Sequence, residues 1–203
     1  DVDRVAGGLL GADYTAENGR YRIQRIYTGE NWNPELRSPL AGPGIDVKAG
    51  DYILAVDGVD LSTSENLHAR FVQKAGKQVV LKVNGKPETA GAREVTVVPV
   101  ASEYTLRHRQ WIEDNRRQVE KLSAGKVGYV YMPNTSTAGF DYFNRYFFAQ
   151  LNKDAIVIDE RFNGGGFVAD YVINMLNRPF LSWWQPRYGE PFASPNSGHW
   201  GPK

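Results

Sequence analysis

The 203-residue chain contains no cysteine, which excludes disulfide staples, thiolate nucleophiles and cysteine-ligated metals. Histidine is almost as scarce. The three present, His68, His108 and His199, lie too far apart to form a metal-ligand pair by spacing. Charge of one sign is missing too: 24 Lys and Arg against 23 Asp and Glu leave +1, no basic field for nucleic acid or an anionic membrane. No apolar run approaches the roughly 20 residues that a bilayer span requires. The opening "DVDRVAGGLL" lacks the basic-then-apolar layout of a signal peptide. These absences predict a soluble chain, cytoplasmic or periplasmic, with no cofactor, no nucleic acid and no membrane among its partners.

What is present divides near residue 101. Before it, short β-branched or aromatic runs recur between glycine-rich turns, at 20–29, 52–58, 78–85 and 93–100, and predict strands. One helix is expected among them, from Ser62 and Glu65 at capping-box spacing, through Leu67, Phe71 and Val72 on one face, to Gly76 as its stop. Next, 102–123 places Tyr104, His108, Trp111, Asn115, Val119 and Leu122 at steps of three and four, a connecting helix within 102–125. From Lys126 the pattern becomes strand, helix, strand, helix. "KVGYVYMP" and "DAIVIDE" read as strands without alternation, with amphipathic segments at 140–151 and 167–177. Unalternated strands interleaved with helices predict a parallel, helix-covered sheet. The last stretch, 180–203, has two adjacent tryptophans and four prolines without periodicity, and reads as a long loop.

Chemistry concentrates at "IVIDERFNGGGF", 156–167, where an apolar strand runs into three consecutive glycines. In a parallel sheet, ligands gather at the carboxyl ends of strands. Glycine lets the backbone approach a substrate carbonyl closely and turn N–H groups toward it, which suits a developing oxyanion. A phosphate cradle is the competing idea. Neither GxxxxGK[ST] nor GxGxxG occurs, and no lysine or arginine follows the glycines at once. A tight turn with no chemistry is the plainer reading of spacing alone. Asp159 and Glu160 do not form a glycosidase pair, because adjacent strand residues face opposite ways.

"SPLAGPGIDVKAGDYILAVDGVDL", 38–61, resembles the signature of bacterial PDZ domains in its order of Gly50, Asp51, Ile53, Leu54, Val56, Asp57 and Gly58. The resemblance covers 7–100 and implies a glycine-flanked loop that presents N–H groups to a peptide carboxylate. "GGLLGADY" stands in that place, with Leu9, Leu10 and Gly11 as its lip, although it departs from the usual Gly-Leu-Gly-aromatic form. Taken with "GKVGYVYMPN" and the unbroken Arg161 to Val168 corner, the whole chain resembles the tail-specific protease superfamily of serine peptidases, most closely its tricorn protease branch. That resemblance implies an α+β fold: a PDZ-like β-barrel with a side helix over 1–101, the connecting helix over 102–125, and over 126–203 the first half of a crotonase-like α/β catalytic domain. It also implies that Gly166, beside Gly165, supplies an oxyanion N–H, and that the nucleophile and base lie outside this segment. Ser182, Ser194 and Ser197 are then poor nucleophiles, and the segment alone is expected to be inactive. The position where tricorn-type enzymes carry an acidic specificity residue falls on Trp184. Implied partners are peptide or unfolded-protein substrates, in a homo-oligomeric parent. A rival from another class is a non-catalytic binder of peptides or apolar ligands, which Phe180, Trp183, Trp184 and Phe192 would suit.

Overall fold

The computed structural model describes residues 6–203, so the start of "DVDRVAGGLL" lies outside the described residues. The chain divides into two compact units, one up to Trp111 and one from Ile112 to Lys203. No described helix is long and apolar enough to cross a membrane.

In the first unit, β1 (Ala12–Glu17), β2 (Arg20–Ile26), β3 (Tyr52–Val56), β4 (Val59–Asp60), β5 (Val79–Asn84) and β6 (Arg93–Val97) form one antiparallel sheet. Its order is β1-β2-β3-β5-β6, with β4 returning along β3. Two tight turns set this local geometry. Asn18 and Gly19 (φ 53° and 73°) join β1 to β2, and Asp57 and Gly58 (φ 49° and 77°) join β3 to β4. Both are pairs of left-handed residues, whose twist matches antiparallel strands. β5 alternates as a one-sided strand should, with Val79, Leu81 and Val83 in the core beside Ile23, Ile53 and Phe71.

The expected barrel is not closed. β1 and β6 are the two edges of the sheet, and among the described residues the bridge Leu9↔Val100 alone spans the gap between them. Pro99 has no N–H to continue a ladder there. The side helix is also shorter than expected. It is a 3-10 turn, Leu67–Phe71, capped by Asn66, whose side chain accepts from the His68 amide at 2.9 Å. Leu67 and Phe71 are buried, but Val72 is exposed and bridges in extended form to Gly7. Ser and Asn in 62–66 offer the backbone local side-chain bonds, which compete with an α-helix.

α1 (Tyr104–Leu122) forms where expected, with a different buried face. Glu103, Leu106 and Gln110 are buried at its start, whereas Tyr104 and Leu122 are 72% and 79% exposed. Tyr104, His108 and Trp111 instead stack on one another, at centroid spacings of 5.7 and 5.9 Å, with Tyr104 exposed and the other two half-buried.

In the second unit, β7 (Val127–Tyr131) and β8 (Ala155–Asp159) pair in parallel, in register from Val127↔Ala155 to Tyr131↔Asp159. α2 (Thr137–Phe147) lies between them in sequence and α3 (Ala169–Leu176) follows. Val130, Met132, Phe143, Phe147, Ile156 and Val172 make the core. β8 is not covered on both faces: Val157 is 43% exposed among the described residues. The expected terminal loop contains a hairpin, β9 (Ser182–Trp184) with β10 (Phe192–Ser194), in which Trp184 faces Phe192 across the strands. Directly opposed aromatic residues favour strand pairing, a signal that three-residue strands do not show as periodicity.

Candidate active-site corner

At the carboxyl end of β8, Arg161 to Gly166 turn back toward the segment after β7. The two stretches are laced by backbone bonds: Gly164 N to Pro133 O at 3.1 Å, Thr135 N to Gly165 O at 3.0 Å, and Val168 N to Thr135 O at 2.8 Å. Asn163 Oδ1 takes the Gly165 amide at 2.7 Å. Two of the three glycine amides are therefore spent, one on Pro133 and one on Asn163. The Gly166 amide is not: among the described residues it donates to nothing, and Gly166 is exposed. Gly165 holds the loop, while Gly166 carries the available donor.

Only glycine fits at that last position. Its φ is 143°, and a Cβ there would stand 2.0 Å from the Thr135 carbonyl oxygen and 2.7 Å from the Ser136 amide nitrogen. On the other side of the corner, Asn134 Oδ1 accepts from the Ser136 and Gly139 amides at 3.0 and 2.9 Å and so starts α2.

Below the glycines a buried acid braces the strand exit. Asp159 accepts from the Tyr129 hydroxyl at 2.6 Å and from Arg161 Nε at 2.9 Å, with a further ion pair to Arg161 at 2.5 Å. The Arg161 guanidinium, with the Tyr129 hydroxyl, holds the Asp159 carboxyl down at about 2 in spite of burial. Burial and the adjacent carboxylate push the Tyr129 phenol up. Glu160, its neighbour, is exposed, so the two acids do not converge.

Trp184 stands on the β9–β10 hairpin, 60% exposed. No serine meets a histidine there: His199 is buried, with Nε2 at 2.9 Å from the Lys153 carbonyl, and its Nδ1 has no partner. Ser197 pairs with Arg178. His68 is exposed, and burial lowers the pKa of His108.

The first unit holds Leu9, Leu10 and Gly11. Leu9 exchanges both backbone bonds with Val100, at 2.8 Å each, and Leu10 is a core side chain, 2% exposed. Gly11, with φ 72°, donates its amide at 2.7 Å to the buried carboxylate of Glu103, which sequence reading did not single out. Asn163, Thr135, Asp159 as a brace and Glu103 were missed as site residues. Asn163 and Asp159, both inside the "IVIDERFNGGGF" run, had a local signal; Thr135 and Glu103 had none.

The family model described as "Tricorn protease PDZ domain" matches residues 8–102. The chain is 36% identical over 197 residues to "Tricorn protease homolog 1" of Streptomyces coelicolor, covering 96% of this chain and 18% of that protein. It is 35% identical over 193 residues to "Tricorn protease homolog" of Saccharolobus solfataricus, 93% of this chain and 17% of that one. Among solved structures, "Crystal structure of the tricorn protease" matches with a TM-score of 0.80 and 28% identity over 97% of this chain and 19% of that chain. The chain thus spans under one fifth of the length of these relatives. With a tricorn-type PDZ match over residues 8–102 and a second unit that keeps to the same relatives, the chain is similar to tricorn proteases over nearly all of its length.

Proposed function

We propose that the chain is the peptide-handling and oxyanion-binding part of a serine peptidase that cleaves peptides or unfolded proteins through an acyl-enzyme. The observation that carries this is the free, exposed amide of Gly166 at the carboxyl end of a parallel strand, on backbone that only glycine can adopt. Attack by a serine hydroxyl on the scissile carbonyl moves charge onto its oxygen. The Gly166 N–H meets that charge, a contact worth about 3 kcal/mol in comparable enzymes. Asn163, Thr135 and Gly165 hold the donor in place. In this reading residues up to 101 are a PDZ-like module, 102–125 the connecting helix and 126–203 the first half of a crotonase-like catalytic domain. The nucleophile and base come from outside the segment, in a homo-oligomeric parent.

The competing reading, a non-catalytic binder of peptides or apolar ligands, draws on the exposed Leu181, Trp183 and Trp184, 68%, 68% and 60% accessible. A fluorophosphonate probe separates the two. The full-length protein should be labelled on one serine outside 1–203, with labelling lost in Gly166→Ala, while the isolated chain stays unlabelled. An unlabelled full-length protein, or a labelled serine within the chain, would overturn the proposal.

A further inference from the structure

Gly11 leads into β1, an edge strand, and its amide already binds a carboxylate. Glu103 Oε1 accepts it at 2.7 Å, and Oε2 is held by Arg107 Nε at 2.7 Å and by its terminal nitrogen at 2.6 Å. A loop amide beside a guanidinium is a carboxylate receptor in its chemistry. An ordinary i,i+4 ion pair on a helix surface does not bury its acid or spend it on an amide 92 residues away; Glu103 is 7% exposed and does both. Arg107 stays in place without it, because Asp13 Oδ1 and the Tyr27 hydroxyl each hold it at 2.8 Å and its guanidinium lies 4.4 Å from the centre of the Tyr27 ring.

From this receptor a groove of about 500 Å³ runs between β1 and the Leu67 turn, lined by Ala12, Asp13, Tyr14, Leu67, Glu103 and Arg107. An extended peptide pairing with the outer edge of β1, where the Ala12 carbonyl already accepts from Arg107 at 3.3 Å, and ending at Gly11 would bring its terminal carboxylate against that of Glu103. We propose that Glu103 is an internal carboxylate filling the terminal-carboxylate position of this groove, so that the first unit selects extended segments from chain interiors over free C-termini. This stands apart from the reading of the glycine corner, since no residue is shared.

The test compares one fluorescent apolar peptide as free acid and as C-terminal amide, by anisotropy, on the 203-residue wild type, Glu103→Gln and Glu103→Ala. Wild type should favour the amide by roughly tenfold, the neutral E103Q should show no preference, and E103A, with Gly11 and Arg107 unmasked, should favour the acid by roughly tenfold. Acetate should raise the melting temperature of E103A and not that of wild type. If E103A does not fold, the contrast between wild type and E103Q still decides. Equal ratios in those two, a wild type that favours the acid, or a wild type that binds neither form overturns the proposal.

Discussion

The Tyr129 hydroxyl reaches across the β7–β8 pair to Asp159 Oδ2 at 2.6 Å, tying one strand to the exit of the other just where the glycine corner begins. Since Arg161 also holds that acid from the solvent side, the corner rests on one charge-assisted network around a buried carboxylate.

Tyr129→Phe should cost about 1–2 kcal/mol in urea denaturation, the loss of a buried bond to a charged acceptor. The pH dependence has a definite sign. The folded carboxyl of Asp159 is held at about 2, below its unfolded value, so its contribution is complete above about pH 4 and vanishes as pH falls through about 2. The stability gap between wild type and Asp159→Asn should therefore narrow over that interval; a constant gap would refute the assignment.

The three corner glycines should rank by their surroundings. At Gly164 a Cβ meets only Asn134 Cβ at 3.9 Å, and alanine should change stability by less than about 0.5 kcal/mol. Gly165 has open space but φ 82°, so alanine should cost about 1 kcal/mol. Gly166→Ala meets Thr135 O at 2.0 Å and should cost about 3 kcal/mol or more. Thermal melts of the three variants test the order.

Arg107→Gln should destabilise the first unit by about 2–3 kcal/mol, since it strands the buried Glu103 carboxylate while Arg107 itself keeps one face in water. Restoring a neutral partner in the double variant with Glu103→Gln should recover part of that loss. A strictly additive double variant would show that the two side chains do not act together.

On the proposed peptidase reading, with Trp184 at the specificity position, an indole there cannot pair a cation as a carboxylate does. Peptide-library profiling of the full-length protein should then show no preference for Lys or Arg before the cut, and a strong preference for either would overturn that assignment of Trp184.

Local chemistry was legible where neighbours in sequence decide the outcome. The Asp57-Gly58 turn, the alternation of β5 and the passage from strand into glycines at 159–166 follow from residues that touch along the chain, although the corner itself is held by Pro133 and Thr135. β1 was not anticipated, although Asn18-Gly19 marks a hairpin turn plainly enough to have placed it. The side helix failed differently: Ser62 and Glu65 do have capping spacing, yet Asn66 caps a later start and the bridge from Val72 to Gly7 pulls the chain into extended form.

By itself the amino-acid sequence determined where this protein turns, which strands alternate and where glycine is obligatory, because φ/ψ limits and side-chain periodicity act over a few residues. Tertiary structure alone decided which face of α1 is buried, that the sheet stays open, and that Glu103 occupies the amide of Gly11. Each of those depends on which donor and acceptor meet after distant segments pack. A hydrogen bond satisfied from 92 residues away leaves no periodicity in the chain to announce it.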